Sequence, residues 1–273
     1  LEADARQSFD TQGYVVLRDF VEADVLAQVR GALQTLVDRQ AERLLAEGKI
    51  QDPLAAAPFE TRLAQLYATF LEEAPKQFRP ELHLPGLFPL FFHPRLLDIV
   101  ETVLGPEIRL YPNYTARPKL PDHAGTLVLW HQDGGYTGDQ ADTLRMVNVW
   151  TPLVPATTEN GCMEFIPGTH RLGIVPHESR KHYLEIAEDY LAPRRQEAVA
   201  IELDPGDIVL FHNLLFHRGL PNRSQTIRWS LDWRYQDATQ PTLRKEHGQI
   251  ARSRSHPETA VSSTEAWASL SFG

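Results

Sequence analysis

Thr226-Ile227-Arg228-Trp229-Ser230-Leu231-Asp232-Trp233-Arg234-Tyr235 alternates apolar and polar residues without a break. Successive side chains of a strand point to opposite faces. Ile227, Trp229, Leu231, Trp233 and Tyr235 therefore share one face, and Arg228, Ser230, Asp232 and Arg234 share the other. The apolar face calls for a layer of helices to cover it, and the polar face then points into the interior of a β structure. Two arginines in one buried row are costly unless anions meet them. Asp232 can serve one of them. The other is left for a bound carboxylate, which a guanidinium holds as a bidentate pair. The competing reading is a solvent-facing strand with ordinary ion pairs.

His217 lies eleven residues before Arg228, in Gly206-Asp-Ile-Val-Leu-Phe-His-Asn-Leu-Leu-Phe-His-Arg-Gly219. This reads as a tight turn, an apolar strand, a bend and a second short strand. A hairpin is expected to return Arg228 beside His217 at one barrel end. Farther upstream, Trp130-His131-Gln132-Asp133 places an imidazole and a carboxylate two residues apart. On an extended segment, residues i and i+2 face the same way, so both can reach one metal ion. One more histidine completes the two-histidine, one-carboxylate set of non-haem Fe(II) oxygenases. Among the 11 histidines, His217 is the choice for that place. His212, directly after an apolar strand, is its competitor. Trp130 and Gln132 should face away from the metal.

Short segments rich in Val, Ile, Leu, Trp, Tyr and Thr recur at 107–115, 126–131, 144–153, 161–166, 197–203, 207–211, 214–218 and 226–235. Gly, Pro, Asn and Asp punctuate them, as in a sandwich or small barrel. The first 105 residues are mainly helical in pattern, after a strand at 13–20. Helices are expected at 23–47, at 58–72 and from Pro94 to Leu104, with an irregular, proline-rich stretch at 74–93. Residues 236–273 read as a tail with a short helix near Thr264–Leu270. No linker divides the chain, so 1–273 is expected to be one domain, with helical support over 1–105 and a β core over about 107–235. Residues 171–196 form a long connection that could act as a lid.

The charge balance is 27 Lys and Arg against 36 Asp and Glu, a net −9. It argues against nucleic acid or anionic membrane as a partner and leaves a small-molecule substrate. A single cysteine, Cys162, allows no internal disulfide, which fits a reducing cytoplasm. Cys162 is expected to pack in the core. Nothing near residue 1 reads as a signal peptide. A monomer or weak homodimer is expected.

These pieces, taken in order, resemble the phytanoyl-CoA dioxygenase family of Fe(II)- and 2-oxoglutarate-dependent oxygenases. The matching stretches are Trp-His-Gln-Asp at 130–133, Val-Asn-Val-Trp-Thr-Pro-Leu at 147–153 and Asn-Gly-Cys-Met-Glu-Phe-Ile-Pro-Gly-Thr-His at 160–170. Gly-Asp-Ile-Val-Leu-Phe-His at 206–212, His217, Asn222-Arg-Ser224 leading to Arg228, and the Gly-Tyr-Val-Val-Leu-Arg-Asp-Phe start at 13–20 complete the set. The resemblance covers about residues 8–235.

It implies a mainly β fold with bracing helices, a double-stranded β-helix (a jelly-roll, cupin-like barrel) with a helical N-terminal part. It implies His131, Asp133 and His217 as iron ligands and Arg228 as the partner of the distal carboxylate of 2-oxoglutarate. Trp150 would line the cosubstrate site and Asn113 would bond the cosubstrate from a strand face shared with Tyr111 and Thr115. Lys76 is a further, looser match. The implied reaction is hydroxylation of an unactivated C–H bond with Fe(II), 2-oxoglutarate and O2, releasing succinate and CO2. Halogenating relatives lack the carboxylate ligand, so Asp133 points to hydroxylation. Arg117, Lys119, Arg145 and Arg234 are candidate anion contacts, with Arg145 read as solvated, and Tyr114 and Tyr136 are candidate apolar walls. His170 should brace a turn. A zinc-dependent hydrolase using the same three ligands, or a non-catalytic binding protein on the same scaffold, is the alternative.

Overall fold

A computed structural model describes residues 3–180 and 184–272. In chain order the strands are β1 (Tyr14–Leu17), β2 (Glu107–Leu110), β3 (Thr115–Lys119), β4 (Val128–His131), β5 (Met146–Pro152), β6 (Met163–Ile166), β7 (His177–Ser179), β8 (Leu184–Ile186), β9 (Val199–Ile201), β10 (Ile208–His212), β11 (Phe216–Gly219), β12 (Arg228–Asp237) and β13 (Gln249–Ser253). The main helices are α1 (Ala3–Gln12), α2 (Ala23–Ala46), α3 (Phe59–Leu66), α4 (Phe88–Phe91), α5 (Pro94–Leu104), α6 (Glu188–Leu191) and α7 (Thr264–Ser269).

Two antiparallel sheets carry the fold. The major sheet runs β1-β10-β5-β12-β2-β13, with β3 also paired to β12, and the minor sheet runs β4-β11-β6-β9. Their inner faces meet: Trp150, Val209 and Phe211 of the major sheet pack with Met163, Phe165 and Ile201 of the minor one. This is the layout expected of a double-stranded β-helix, with one difference. The sheets remain two facing layers and do not close into a single hydrogen-bonded barrel among the described residues.

The strand quoted first is the spine. All ten residues of β12 are buried, because β5 flanks one side and β2 and β3 flank the other. Its apolar face, Trp229, Leu231, Trp233 and Tyr235, packs against the helical layer as expected, in one cluster with Leu33, Leu36, Phe91 and Val100. Pro94 opens α5 at its first turn, where a missing N–H costs nothing, and Gly105 at φ +96° ends it.

Several elements differ from expectation. The strand expected over 107–115 is two strands, since Pro112 and Asn113 turn the chain between β2 and β3. The second helix stops at Leu66, and the proline-rich 74–93 stretch holds short 3-10 turns and α4. Residues 236–273 are no loose tail. β13 adds to β2 at the edge of the major sheet, and α7 buries Trp267 completely. Trp267 stacks on His83 with ring centroids 4.0 Å apart and meets Tyr114 edge-on. The 171–196 connection holds the β7–β8 hairpin.

Candidate metal centre and its cavity

His131 ends β4 and His217 lies on β11, directly opposite it in the antiparallel register. The two rings are 4.1 Å apart between centroids. Gln132 stays extended (φ −110°, ψ 134°), so Asp133 keeps the i, i+2 relation to His131 although the strand has ended and a 3-10 turn begins. One ligand atom from each of His131, Asp133 and His217 lies within 4.8 Å of the others. Nε2 of His131 is 3.6 Å from Asp133 Oδ1, and Nε2 of His217 is 3.8 Å from Oδ2.

The hydrogen bonds behind the rings fix their tautomers. Nδ1 of His131 lies 2.8 Å from the Leu129 carbonyl, and Nδ1 of His217 lies 2.8 Å from the Leu215 carbonyl. A carbonyl only accepts, so Nδ1 carries a hydrogen in both, which leaves Nε2, the atom nearest Asp133, as the ring nitrogen able to ligate a metal. Burial, with help from His131, pushes the His217 imidazole down to about 3, so it stays neutral. Burial alone would raise the Asp133 carboxyl. The Arg234 guanidinium and the two imidazoles outweigh it and hold Asp133 well below the usual carboxylate range. Two imidazoles and one carboxylate, converging and buried, suit a divalent cation with open positions.

Asp133 is held from the major sheet. Arg234 donates to Oδ1 at 2.8 Å and Asn148 of β5 donates to Oδ2 at 2.7 Å. The sequence marks Arg234 as a candidate anion contact and not as a partner of Asp133, and it carries no separate signal for Asn148 inside the 147–153 motif. Gln132 does face away from the cluster, and it is fully buried. Its amide donates to Gly173 and Leu214 and accepts from the Val175 N–H, pinning two loops, 173–175 and the one at Leu214, behind the ligands. Trp130 is buried in the minor-sheet cluster. His177 of β7 accepts the Gln132 N–H at 3.3 Å, so the long connection reaches the metal centre through its backbone.

Arg228 lies within the same cavity of about 730 Å3 as His131 and Asp133. It does not form a hairpin with the His217 strand, because β11 belongs to the minor sheet and β12 to the major one. The two face each other across the sandwich. Arg228 is buried, donates to the Gly161 carbonyl at 3.1 Å and to Ser230, and lies 5.3 Å over the Trp150 ring. Asp232, expected to serve one arginine of the row, serves Arg117 at 2.5 Å and Arg234 at 3.3 Å. Arg228 has no carboxylate within ion-pair distance among the described residues. Burial pushes its guanidinium down to about 10.

Lys119 stands opposite Arg228 in the β3–β12 register and is also buried. Its ammonium donates to the Thr126 carbonyl at 3.0 Å and meets no carboxylate among the described residues. Burial first, then Arg228 and Arg117, hold it well below the ordinary lysine value. Gly161 makes room here. At φ +92°, a Cβ on it would come within 2.6 Å of the Lys119 side chain.

The other candidates sort themselves out. Asn113 lines the cavity from the turn before β3, not from a strand face, and its buried Oδ1 has no partner. Trp150 packs under Arg228 in the inter-sheet core. Lys76 and Tyr136 line the cavity mouth. Tyr114 does not; it is buried among aromatic rings and its hydroxyl meets His83 at 2.7 Å. Arg145 pairs with Asp237, outside the cavity. His212 points elsewhere, toward Phe9 and His170, while His170 reaches the Asp10 carbonyl as a turn brace. Cys162 is buried, and burial raises its thiol to about 11, which leaves it inert as a nucleophile.

A family model described as "Phytanoyl-CoA dioxygenase (PhyH)" matches residues 9–230. The chain is 27% identical over 278 residues to a probable phytanoyl-CoA dioxygenase of Caenorhabditis elegans, covering 93% of this chain and 85% of the relative. It is 28% identical over 244 residues to the 1-deoxypentalenic acid 11-beta-hydroxylase of Streptomyces arenae, covering 85% of this chain and 80% of that protein. Among solved structures, EvdO2 from Micromonospora carbonacea var. aurantiaca complexed with 2-oxoglutarate superposes with a TM-score of 0.62 at 23% identity, over 86% of this chain and 91% of that one.

Proposed function

The chain belongs to the phytanoyl-CoA dioxygenase family of Fe(II)- and 2-oxoglutarate-dependent oxygenases, and from that premise we propose that His131, Asp133 and His217 are its iron ligands and Arg228 its 2-oxoglutarate anchor. The observation that carries this reading is the pairing of a closed three-ligand cluster with a buried, carboxylate-free arginine in one cavity. A zinc hydrolase would have no use for the second feature.

When bound, Fe(II) supplies the oxidising chemistry: O2 is consumed, 2-oxoglutarate is decarboxylated to succinate and CO2, and an oxygen atom enters a substrate C–H bond. The protein's part is positioning and exclusion of water. The carbonyls of Leu129 and Leu215 hold the two imidazoles in the ligating tautomer. Arg234 and Asn148 hold the carboxylate between them. Arg228, with Lys119 beside it, meets the distal carboxylate of 2-oxoglutarate and so sets which way the keto acid points. Trp150 backs that guanidinium with its ring face. Asn113 lines the same cavity, where its amide NH2 would donate to the cosubstrate.

The substrate is a small organic molecule. We place the enzyme in the cytoplasm as a monomer or weak homodimer acting on neither nucleic acid nor membrane, a reading supported by the net charge of −9 and the single cysteine. No helix of the described residues is long and apolar enough to cross a membrane.

The test is succinate release and oxygen consumption by the purified chain with Fe(II) and 2-oxoglutarate under air. Wild-type protein should release succinate, slowly without substrate and faster with it. Asp133→Ala should release none while keeping its circular dichroism spectrum. No succinate from folded, iron-loaded wild-type protein, or undiminished release from Asp133→Ala, would overturn the site assignment.

A further inference from the structure

The cavity holds more positive charge than iron and 2-oxoglutarate need. Its lining includes Asp133 and Glu72 as carboxylates, against five arginines and two lysines. Asp133 and Asp232 engage Arg234 and Arg117, and Glu72 sits at the mouth near Lys76. Four cations remain without a carboxylate at ion-pair distance among the described residues, and they form two pairs. Arg228 and Lys119 are register partners on β12 and β3. Arg79 and Arg244 are the other pair.

Arg79 and Arg244 are held in place by neutral groups. Arg79 donates through Nε to the Thr115 hydroxyl at 3.0 Å. Arg244 donates through Nε to the Tyr111 hydroxyl at 3.1 Å and lies 5.5 Å over that ring. Both bonds use Nε, which leaves the terminal nitrogens of each fork for a ligand. Thr115 and Lys119 share one face of β3, roughly 13 Å apart along the strand, so Arg79 is anchored at the opposite end of that strand from Lys119 and its register partner Arg228. A five-carbon diacid bound at the metal with its far carboxylate on Arg228 has no charge left for Arg79 and Arg244. Burial, then the charges of Arg117, Arg234 and Arg244, depress the Arg79 guanidinium against the opposing pull of Asp232.

We propose that Arg79 and Arg244 form a second anion site, which binds the carboxylate of the substrate, and that the substrate is therefore a small organic acid. This rests on the reading of the cavity as an Fe(II) and 2-oxoglutarate site. The acid head group sits between the two forks. The apolar body lies along Val128, Leu129, Tyr136 and Leu184, which line the side of the same cavity next to His131. Anchoring one end of an apolar molecule in this way selects which carbon faces the metal.

The experiment is anaerobic calorimetry on the full chain loaded with Fe(II) and saturating 2-oxoglutarate, so that Arg228 is occupied and no turnover occurs. The probes are decanoate and cyclohexanecarboxylate, each beside its methyl ester, with inorganic phosphate and coenzyme A as further arms. At least one acid should bind, and its ester at least tenfold more weakly. Arg79→Gln and Arg244→Gln should each weaken the acid at least tenfold and leave 2-oxoglutarate affinity unchanged, which also reports that the variants are folded. Arg79→Lys should lose less than Arg79→Gln. Equal binding of acid and ester, no binding of either acid, unaltered affinity in both glutamine variants, or tighter binding of phosphate or coenzyme A would overturn the proposal. Acid binding that needs Arg79 in a chain that fails to bind 2-oxoglutarate would uphold this site and overturn the reading of the other.

Discussion

Arg234, on the central strand of the major sheet, donates to Asp133, at the end of the minor sheet, at 2.8 Å, and both side chains are 9% exposed. One buried ion pair thus spans the sandwich and aims a candidate metal ligand. The Asn148 amide holds the second oxygen of the same carboxylate.

Arg234→Gln should lower iron affinity roughly 10- to 100-fold, the usual cost of losing a partner behind a ligand. Asn148→Ala should act in the same direction. Equilibrium dialysis with Fe(II), or with Co(II) as an air-stable stand-in, measures both. A rise in affinity for Arg234→Gln would mean that the guanidinium chiefly repels the metal, and the positioning role would be lost.

Arg228→Ala removes the only cation of the row that no carboxylate meets. Truncating one member of a buried charge pair costs about 2–5 kcal/mol, so the dissociation constant for 2-oxoglutarate should rise roughly 30-fold or more. Iron affinity should not change. Arg228→Lys should recover only part of the loss, because an ammonium lacks the bidentate fork. Calorimetric titration of the iron-loaded protein checks this.

His212 gives a pH dependence with a definite sign. Its ring is pushed down to about 4 by burial, then by His170, and its Nδ1 accepts the Leu214 N–H at 3.1 Å. Between the ordinary value of 6.5 and about 4, the unfolded chain takes up a proton that the fold refuses. Stability contributed by this group is therefore complete above pH 6.5 and is lost as pH falls through that window. The loss approaches about 3 kcal/mol and is reduced by solvent screening. Asn at position 212 keeps an acceptor for Leu214 without a proton to gain. Urea unfolding of His212→Asn at pH 7 and pH 5 should show a smaller difference than wild type.

Trp267→Ala should destabilise the fold by about 3–5 kcal/mol, the range for deleting a buried aromatic ring. Trp267 is fully buried against His83, Phe91, Phe92 and Tyr114. Chemical denaturation measures the change. A cost below about 1 kcal/mol would mean that α7 is dispensable to the core.

Much of this was legible in the chain. Alternation over 226–235 named the two faces of β12 and required a helical layer on one of them. The spacing in His131-Gln132-Asp133 put two ligand types on one side of an extended segment, and that survived even though the strand ends at His131. The strand within 236–273 is not legible in the sequence because Gln249-Ile-Ala-Arg-Ser253 barely alternates. It is an edge strand with a bulge against β2, and one paired edge needs little of its own pattern. The apolar run over 107–115 also hides the break at Pro112 and Asn113, so Asn113 lies in a turn and not on the strand face expected for it.

The sequence by itself determined which residues of the central strands share a face, where the main helices and most core strands lie, and which side chains are fit to hold a metal and an anion. These are local properties, set by a two-residue or 3.6-residue period. Only the tertiary structure decided which faces meet. It put His217 opposite His131 within the minor sheet, while Arg228 approaches from the major sheet and not around a hairpin. It also gave Arg234 to Asp133, left Arg228 and Lys119 without a carboxylate, and brought Arg79 and Arg244 to one cavity from segments 165 residues apart. Periodicity says where a side chain points; register and the packing of one sheet on another determine what it finds there.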